Sequence, residues 1–389
     1  MSPVVAESEA LHERVRRFAR ASLEQPPEAG EFEALALAIA RFQAEHIPGY
    51  QRLVEARGVL LERYESLVGV PTEVFRLTRV AVHPASLDVA RFETSGTTSG
   101  VSGEHALRTL ATYDELAVAY GWRALTVFQD SARPIGPKVV VALAPPPSST
   151  PGSSLGHMMQ LFMRCWDGRA LSLTPHGAAF DGASPARWLA SPAGVDVEGL
   201  KRAARLALER QEPLLLLATS FALVALLEAL AGAQIPAPRR TVVMFTGGFK
   251  GRSREVTRGE LTQGVARVFR IPEEQVVGEY GMTELSSQLY EGSLPGSGLS
   301  GPPGVYLEPP WLRVVPVDPA TLKPTPRGEV GIAKIVDLAN VDSAVAVLTQ
   351  DLVRRDESGG VQLLGRRRGS RSRGCSLSFE SLLAPGRPA

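Results

Sequence analysis

The sequence predicts an α/β protein: a largely parallel sheet with flanking helices, a small β-rich subdomain and a short C-terminal tail. Two observations lead there. From Lys138 onward, short apolar runs alternate with stretches of helical spacing, as strands joined by crossover helices do. In the last third, short apolar runs are separated by Pro, Gly and Asp turns instead. With 389 residues, 44% of them hydrophobic, the chain can bury a sizeable core.

Taken in order, residues 6–23 and 32–46 carry apolar side chains at helical spacing, with Pro26 and Pro48 as stops. A strand is expected over 88–92 and a helix from near His105. Residues 139–143 read as a strand that ends in Ala144-Pro145-Pro146-Pro147, and 197–210 as an amphipathic helix. The apolar stretch 213–230 is broken by Thr219, Ser220 and Glu228, and a membrane span needs roughly 20 apolar residues. It reads as a buried strand over 214–217 and a helix over 221–230, with Ser220 near the cap. A β-branched strand over 241–245, a helix over 254–269 and a short strand at 276–277 follow. Strands at 311–317, 330–336, 344–348 and 361–364 form the β-rich part, after a Gly/Pro/Ser loop at 293–304.

The 42 basic residues nearly cancel the 41 acidic ones, which argues against nucleic acid or a membrane surface as a general partner. The start of the chain has no apolar signal segment. The two cysteines, Cys165 and Cys375, make no disulfide framework, so a reducing cytoplasm is the simpler setting.

Four short segments carry chemistry. Thr94-Ser95-Gly96-Thr97-Thr98-Ser99-Gly100 is a small-residue loop whose backbone N–H groups and hydroxyls suit phosphate oxygens, although no Walker lysine follows. Thr246-Gly247-Gly248-Phe249-Lys250 ends a strand, where ligands of open α/β sheets bind. Gly278-Glu279-Tyr280-Gly281-Met282-Thr283-Glu284 offers a ring for a purine, a hydroxyl for a phosphate and a carboxylate for Mg²⁺. Thr349-Gln350-Asp351-Leu352 offers a carboxylate for ribose hydroxyls, with Gly365-Arg366 about a dozen residues on. Each alone has an ordinary structural explanation; the ordered set is harder to obtain by chance.

That set resembles the acyl-adenylate-forming superfamily of acyl-CoA ligases, peptide-synthetase adenylation domains and luciferases. The branch it resembles most is the bioluminescence acyl-protein synthetase (LuxE) family. Ser153-Ser154-Leu155-Gly156-His157-Met158, the segments at 246–250 and 280–288, Pro309-Pro310-Trp311-Leu312, Val336-Asp337-Leu338-Ala339-Asn340 and Gly374-Cys375-Ser376-Leu377 carry that choice. The resemblance covers roughly residues 85–383. It implies the N-terminal domain of an adenylate-forming enzyme over 85–365, after a helical region 1–84 and before a tail 366–389.

The resemblance further implies ATP and Mg²⁺, and a carboxylic acid substrate, with a fatty acid as first expectation and an aromatic acid left open. Ser95, Gly96, Thr97 and Thr98 would cradle the phosphates, Gly247 and Gly248 line the adenine, and Tyr280 stack on it. Thr283 would touch the α-phosphate, Glu284 hold Mg²⁺, and Asp351 bind the ribose with Arg366 at a hinge. The acyl group would pass to a thiol. Cys375 is the candidate, with Arg371 and Arg373 just before it favouring the thiolate; a small buried cysteine is the bland alternative. An acyl-CoA reductase would then receive the acyl group. Coenzyme A or a carrier-protein thiol as acceptor, and a nucleotide-binding protein without turnover, stay open as other readings. The chain departs from the superfamily pattern in two places. Ser99-Gly100-Val101-Ser102-Gly103 lacks the usual lysine, so His105 or Arg108 would have to supply charge. The usual C-terminal lysine is also absent, and Lys250 is a candidate substitute, with a plain surface lysine as its alternative. His157, Met158, Met159 and Phe162 could line an acyl pocket or be ordinary core.

Overall fold

The computed structural model describes residues 2–94, 102–129, 133–134, 138–166, 187–247 and 256–367. They form two compact units. One comprises Met1–Tyr120, Gly281–Leu289 and Val305–Arg371; the other comprises Gly121–Tyr280 and Tyr290–Gly304.

The second unit is built on parallel strands in the spatial order Val139–Leu143, Leu214–Thr219, Val242–Thr246, Val276–Tyr280. Their apolar runs are almost unbroken because both faces are covered. Odd and even positions divide cleanly. Val141, Leu216, Val243, Phe245 and Val276 point into one core with Leu200, Leu223, Leu226, Leu261, Val265 and Phe269 from the crossover helices. Those helices start where their caps dictate. Asp196 accepts from Gly199 N at 2.7 Å before Val197–Arg210. Thr257 and Glu260 form a reciprocal capping box before Arg258–Phe269. Thr219, rather than Ser220, caps Ser220–Leu230 by accepting from Ala222 N at 3.2 Å. The apolar stretch at 213–230 is therefore a strand followed by a helix, and among the described residues no helix is long and apolar enough to cross a membrane.

A second pair of helices packs through aromatic rings. Phe162 stacks on Trp166 with centroids 3.9 Å apart, and Trp166 lies 5.6 Å from Trp122. Lys138 sits over Trp122 at 4.6 Å and donates to Leu125 O at 3.0 Å, so it caps the helix Ala111–Leu125. Burial pushes its ammonium down to about 7. Met158, Met159 and Phe162 are fully buried, and the Tyr290 hydroxyl points at the Met158 sulfur at 3.9 Å. This Met/Phe stripe takes its ordinary reading, core.

In the first unit the N-terminal region forms the helices Pro3–Glu24, Glu31–His46 and Pro48–Arg57 and the single helical turn Val74–Leu77. Pro48 starts the third instead of only stopping the second, because at the first helical position its missing N–H costs nothing. The helix expected from His105 is a hairpin strand. Ala90–Glu93 pairs antiparallel with Glu104–Leu107, and the helix begins at Ala111. The β-rich part is an antiparallel sheet ordered Leu312–Val317, Gly331–Asp337, Ala346–Arg355, Val361–Arg366, Val305–Leu307. Two of its strands run past their expected ends. Ala346–Arg355 carries Asp351 inside the ladder, and Val361–Arg366 pairs Arg366 with Asp351 across it.

Gly121 tests how tightly the aromatic layer is packed. A Cβ built there would lie 2.6 Å from Phe162 Cζ and 3.0 Å from Trp166 Cη2. Gly121→Ala is expected to destabilise the protein by about 1–3 kcal/mol through overpacking, despite the better helix propensity of alanine. Chemical denaturation checks this; a stabilised variant would show that the stack yields.

Candidate active site

In the first unit the motif residues converge on the segment Gly281–Leu289, which has little regular structure. A buried loop must find partners for its backbone outside a helix or sheet, and here side chains supply them. His105 Nδ1 lies 2.8 Å from Thr283 O. Asn340 Nδ2 donates to Glu284 O at 2.8 Å and to Ala344 O at 2.9 Å. Asp337 accepts from Ser286 N at 2.9 Å, Ser287 Oγ at 2.7 Å and Ala339 N at 3.0 Å.

The state of His105 follows from its partners. A carbonyl only accepts, so Nδ1 carries the proton toward Thr283. Nε2 then accepts from Ser343 Oγ, 2.8 Å away. Burial pushes this imidazole down to about 4, so it is neutral at physiological pH. His105 therefore supplies no positive charge to the phosphate loop, contrary to expectation. Nor does Arg108, which is committed to Glu9 at 3.1 Å and Asp342 at 3.3 Å. Asp342 also accepts from His12 at 3.1 Å and from Ser8. Burial works to raise the Asp342 carboxyl, but those hydrogen bonds and the Arg108 charge hold it below its usual range.

The same segment is tied to the residues flanking the stretch expected to bind phosphate. Thr283 Oγ1 donates to Glu93 O at 3.3 Å. Thr94 N donates to Gly103 O at 2.8 Å, and Gly103 N donates to Thr94 Oγ1 at 2.7 Å. Only glycine fits at 103, because a Cβ would meet Arg76 Cγ at 2.8 Å and Phe75 C at 3.0 Å. The loop proper, with Ser95, Gly96, Thr97 and Thr98, lies outside the described residues, as do Gly248, Lys250 and Cys375.

Glu284 is buried, and burial raises its carboxyl to about 7; Arg366 lowers it, while Asp351 and Glu73 raise it further. Asp351 and Arg366, fifteen residues apart in sequence, are cross-strand partners whose side chains meet at 2.6 Å. A short, partly exposed ion pair of this kind fixes the carboxylate rather than adding much stability. Among the described residues no three His, Cys, Asp or Glu side chains could hold a metal by themselves. The donor set fits Mg²⁺ nonetheless. That ion is commonly held by one or two carboxylates plus substrate phosphates, and Glu284 is a buried oxygen donor with little compensating charge.

The second unit holds Gly247 and Tyr280 at the carboxyl ends of neighbouring strands, which pair Thr246 with Glu279. Gly247 has φ +95°, a conformation that suits glycine. Ser220 Oγ, freed from capping, bonds the carbonyls of Thr246 and Gly247 at 3.1 and 2.9 Å and so fixes the start of that loop. Tyr280 ends its strand half-buried.

Two outcomes follow. Replacing Asn340 by Leu strands two buried carbonyls, and each unpaired buried acceptor costs about 1–3 kcal/mol. Asn340→Leu is therefore expected to lower the denaturation midpoint with an unchanged slope; an unchanged midpoint would mean water replaces the amide. For Glu284, the folded value of about 7 lies above the ordinary 4.5. The folded state thus holds this proton more tightly than the unfolded chain, and the resulting stability is full below pH 4.5 and lost as pH rises through 7. Without nucleotide, Glu284→Gln should gain stability relative to wild type between pH 5 and pH 8, as read by urea unfolding at both. A constant difference would place the carboxyl in contact with water.

No protein-family model matches the chain. Over 149 residues, 36% of this chain, it is 27% identical to the long-chain-fatty-acid–luciferin-component ligase of Vibrio harveyi. That match spans 37% of the ligase's own length. Among solved structures, 2-hydroxyisobutyryl-CoA ligase in an open conformation with 2-HIB-AMP and CoA superposes with TM-score 0.58 at 15% identity, covering 88% of this chain and 77% of the ligase. The same ligase in its postadenylation state gives 0.59 at 15% identity, over 88% and 69% of the two chains. The chain has the fold of the acyl-adenylate-forming enzymes, and over about a third of its length it is similar in sequence to their acyl-protein synthetase (LuxE) branch.

Proposed function

We propose that the chain is an ATP-dependent, AMP-forming ligase that activates a carboxylic acid as its acyl-adenylate and transfers the acyl group to a thiol. The observation that carries this reading is the fixed backbone of Thr283 and Glu284. It presents a hydroxyl and a buried carboxylate in the unit that also pairs Asp351 with Arg366.

A carboxylate is a poor acyl donor because its leaving group is bad. In the first step a carboxylate oxygen attacks the α-phosphorus of ATP, the bond to pyrophosphate breaks and a mixed anhydride forms. Ser95, Gly96, Thr97 and Thr98 would hold the phosphates, and Gly247, Gly248 and Tyr280 the adenine. Asp351, oriented by Arg366, would accept from the ribose hydroxyls. Thr283 would turn its hydroxyl from Glu93 O to the α-phosphate. Mg²⁺ bound at Glu284 would offset the charge that grows on the phosphate oxygens. Lys250 would stand where relatives use a C-terminal lysine. In the second step a thiolate attacks the acyl carbon and AMP leaves.

We assign that thiolate to Cys375, in the tail 366–389, with residues 85–365 carrying the activation chemistry. A reductase in the same cytoplasm would then take the acyl group from the enzyme. The resemblance of Gly374-Cys375-Ser376-Leu377 to the tail of the acyl-protein synthetases supports an enzyme-bound thiol over coenzyme A or a carrier protein.

Acid-dependent exchange of labelled pyrophosphate into ATP is the direct test, and Glu284→Gln should lose most of it while still binding ATP. With a labelled acid, wild-type protein should retain label through denaturation and release it to neutral hydroxylamine. Cys375→Ser should exchange pyrophosphate but stay unlabelled, and Cys165→Ser should label normally. Exchange without labelling, with acyl-CoA formed when coenzyme A is added, would replace self-acylation by a CoA ligase. No exchange with any acid would leave a nucleotide-binding protein.

A further inference from the structure

The N-terminal helices carry none of the motif residues, yet one of their side chains reaches the backbone that supports them. Gln43 lies on the helix Glu31–His46, whose buried face is otherwise apolar, with Phe32, Leu35, Ile39 and Phe42 on it. Gln43 itself is fully buried. A primary amide in such a place costs free energy unless its groups are paired.

Its partners all belong to one loop. Residues 338–345 connect the antiparallel strands Gly331–Asp337 and Ala346–Arg355. Gln43 Nε2 donates to Asn340 O at 2.7 Å and to Val341 O at 2.9 Å, and Val345 N donates to Gln43 Oε1 at 2.9 Å. One amide thus bridges both arms of the loop. Its orientation is fixed, because a flipped amide would set its oxygen against the Asn340 and Val341 carbonyls. A second N-terminal helix, Pro3–Glu24, grips the same loop through Asp342, which accepts from Ser8 and from His12 at 3.1 Å.

The loop in turn holds the motif residues. Asn340, whose carbonyl Gln43 holds, donates its own amide to Glu284 O at 2.8 Å. Ser343 bonds His105, and His105 bonds Thr283 O, each at 2.8 Å. A single residue, Asn340, therefore stands between Gln43 and Glu284. In the proposed activation step Glu284 holds Mg²⁺ and Thr283 meets the α-phosphate. A misplacement of about 1 Å at such groups can cost on the order of a hundredfold in rate.

We infer that Gln43 is a positioning residue for adenylate formation, acting through Asn340 and Ser343 on Glu284 and Thr283. The inference rests on the proposed acid activation, and it gives the region 1–84, which lies outside the motif pattern, a part in that step.

The test replaces Gln43 by Met, which fills similar space without the amide's bonds, and by Ala, which leaves room for water at the same groups. Ile39→Val, a fully buried change on the same helix, controls for stability alone. Per folded protein, pyrophosphate exchange should fall about tenfold or more in Gln43→Met, with KM for ATP within about twofold of wild type. The Mg²⁺ concentration that gives half the maximal rate should rise, because the displaced group is the metal's carboxylate. Gln43→Ala should show the same pattern more weakly, and Ile39→Val should not show it. Hydrogen exchange without ligands gives a readout independent of activity. Backbone amides of 338–345 and of 281–287 should both exchange faster in Gln43→Met and Gln43→Ala than in Ile39→Val. Wild type that exchanges pyrophosphate, with 281–287 unchanged in both Gln43 variants, would overturn the positioning role and leave acid activation standing. An equal loss of rate in Ile39→Val would also overturn it. Faster exchange at 281–287 in a protein that activates no acid would support the link from Gln43 to that segment and sink acid activation.

Discussion

The site depends on one constraint: a buried backbone segment without regular structure must have every polar group paired. Residues 283–287 meet most of it with borrowed side chains, the buried Ser286 hydroxyl being left without a partner among the described residues. His105 holds the carbonyl of Thr283, Asn340 that of Glu284, and Asp337 the N–H of Ser286 together with the Ser287 hydroxyl. A helix would have satisfied these groups internally but would have rotated Thr283 and Glu284 to faces about 100° apart. A strand would have sent them to opposite sides. The irregular loop lets neighbouring residues serve one purpose, and the cost is moved to partners that must themselves be buried and correctly protonated.

That cost explains the ionisation states. His105 bonds a carbonyl with one nitrogen and a hydroxyl with the other, and the neutral ring meets both demands. A protonated ring would have two donors and would need Ser343 to turn its hydroxyl away. Asp337 is raised to about 6 by burial, against bonds from Ser287, Ala339 and Ser286 that lower it. Asp342 goes the other way because Arg108 and His12 surround it. Through Ser8 and His12, the N-terminal helix therefore shares a buried network with the loop that carries Asn340 and Ser343. This helix, which contributes nothing to the motif pattern, is part of the scaffold behind the motifs.

The alternating core was legible because its signal is local: each parallel strand is an apolar run, and each crossover helix opens on a capping residue. The strand at 139–143 has the expected limits. The strands at 346–355 and 361–366 were expected to end at 348 and 364, where the apolar runs stop and Thr349-Gln350-Asp351 and Gly365-Arg366 begin. What extends them is a cross-strand register, with Asp351 opposite Arg366, and such pairing joins residues whose separation in sequence carries no signal. His105 was misread as the start of a helix for a similar reason. Its strand is defined by Ala90–Glu93, on the far side of the phosphate loop. Thr283 and Glu284 could be named from the motif. His105, Asn340 and Asp337 could not be given their roles, although Asp337 and Asn340 stand in the segment that carried the family resemblance. A side chain that bonds a distant carbonyl leaves no periodicity behind.

The buried acids near the motifs divide by what compensates them. Asp337 has several donors, and its role is complete within the protein. Asp351 has a guanidinium at 2.6 Å and stays partly open to solvent. Glu284 has a backbone hydrogen bond and the charge of Arg366 against its burial, and is still pushed to about 7. A protein gains stability by replacing such groups with apolar ones, so their presence marks places where another molecule is the expected partner. For Glu284 the missing component is positive charge, which suits a cation beside phosphates. The deficit, read from the neighbours, is what separates a carboxylate such as Asp337, completed by the protein's own donors, from one such as Glu284 that is left open to a cation.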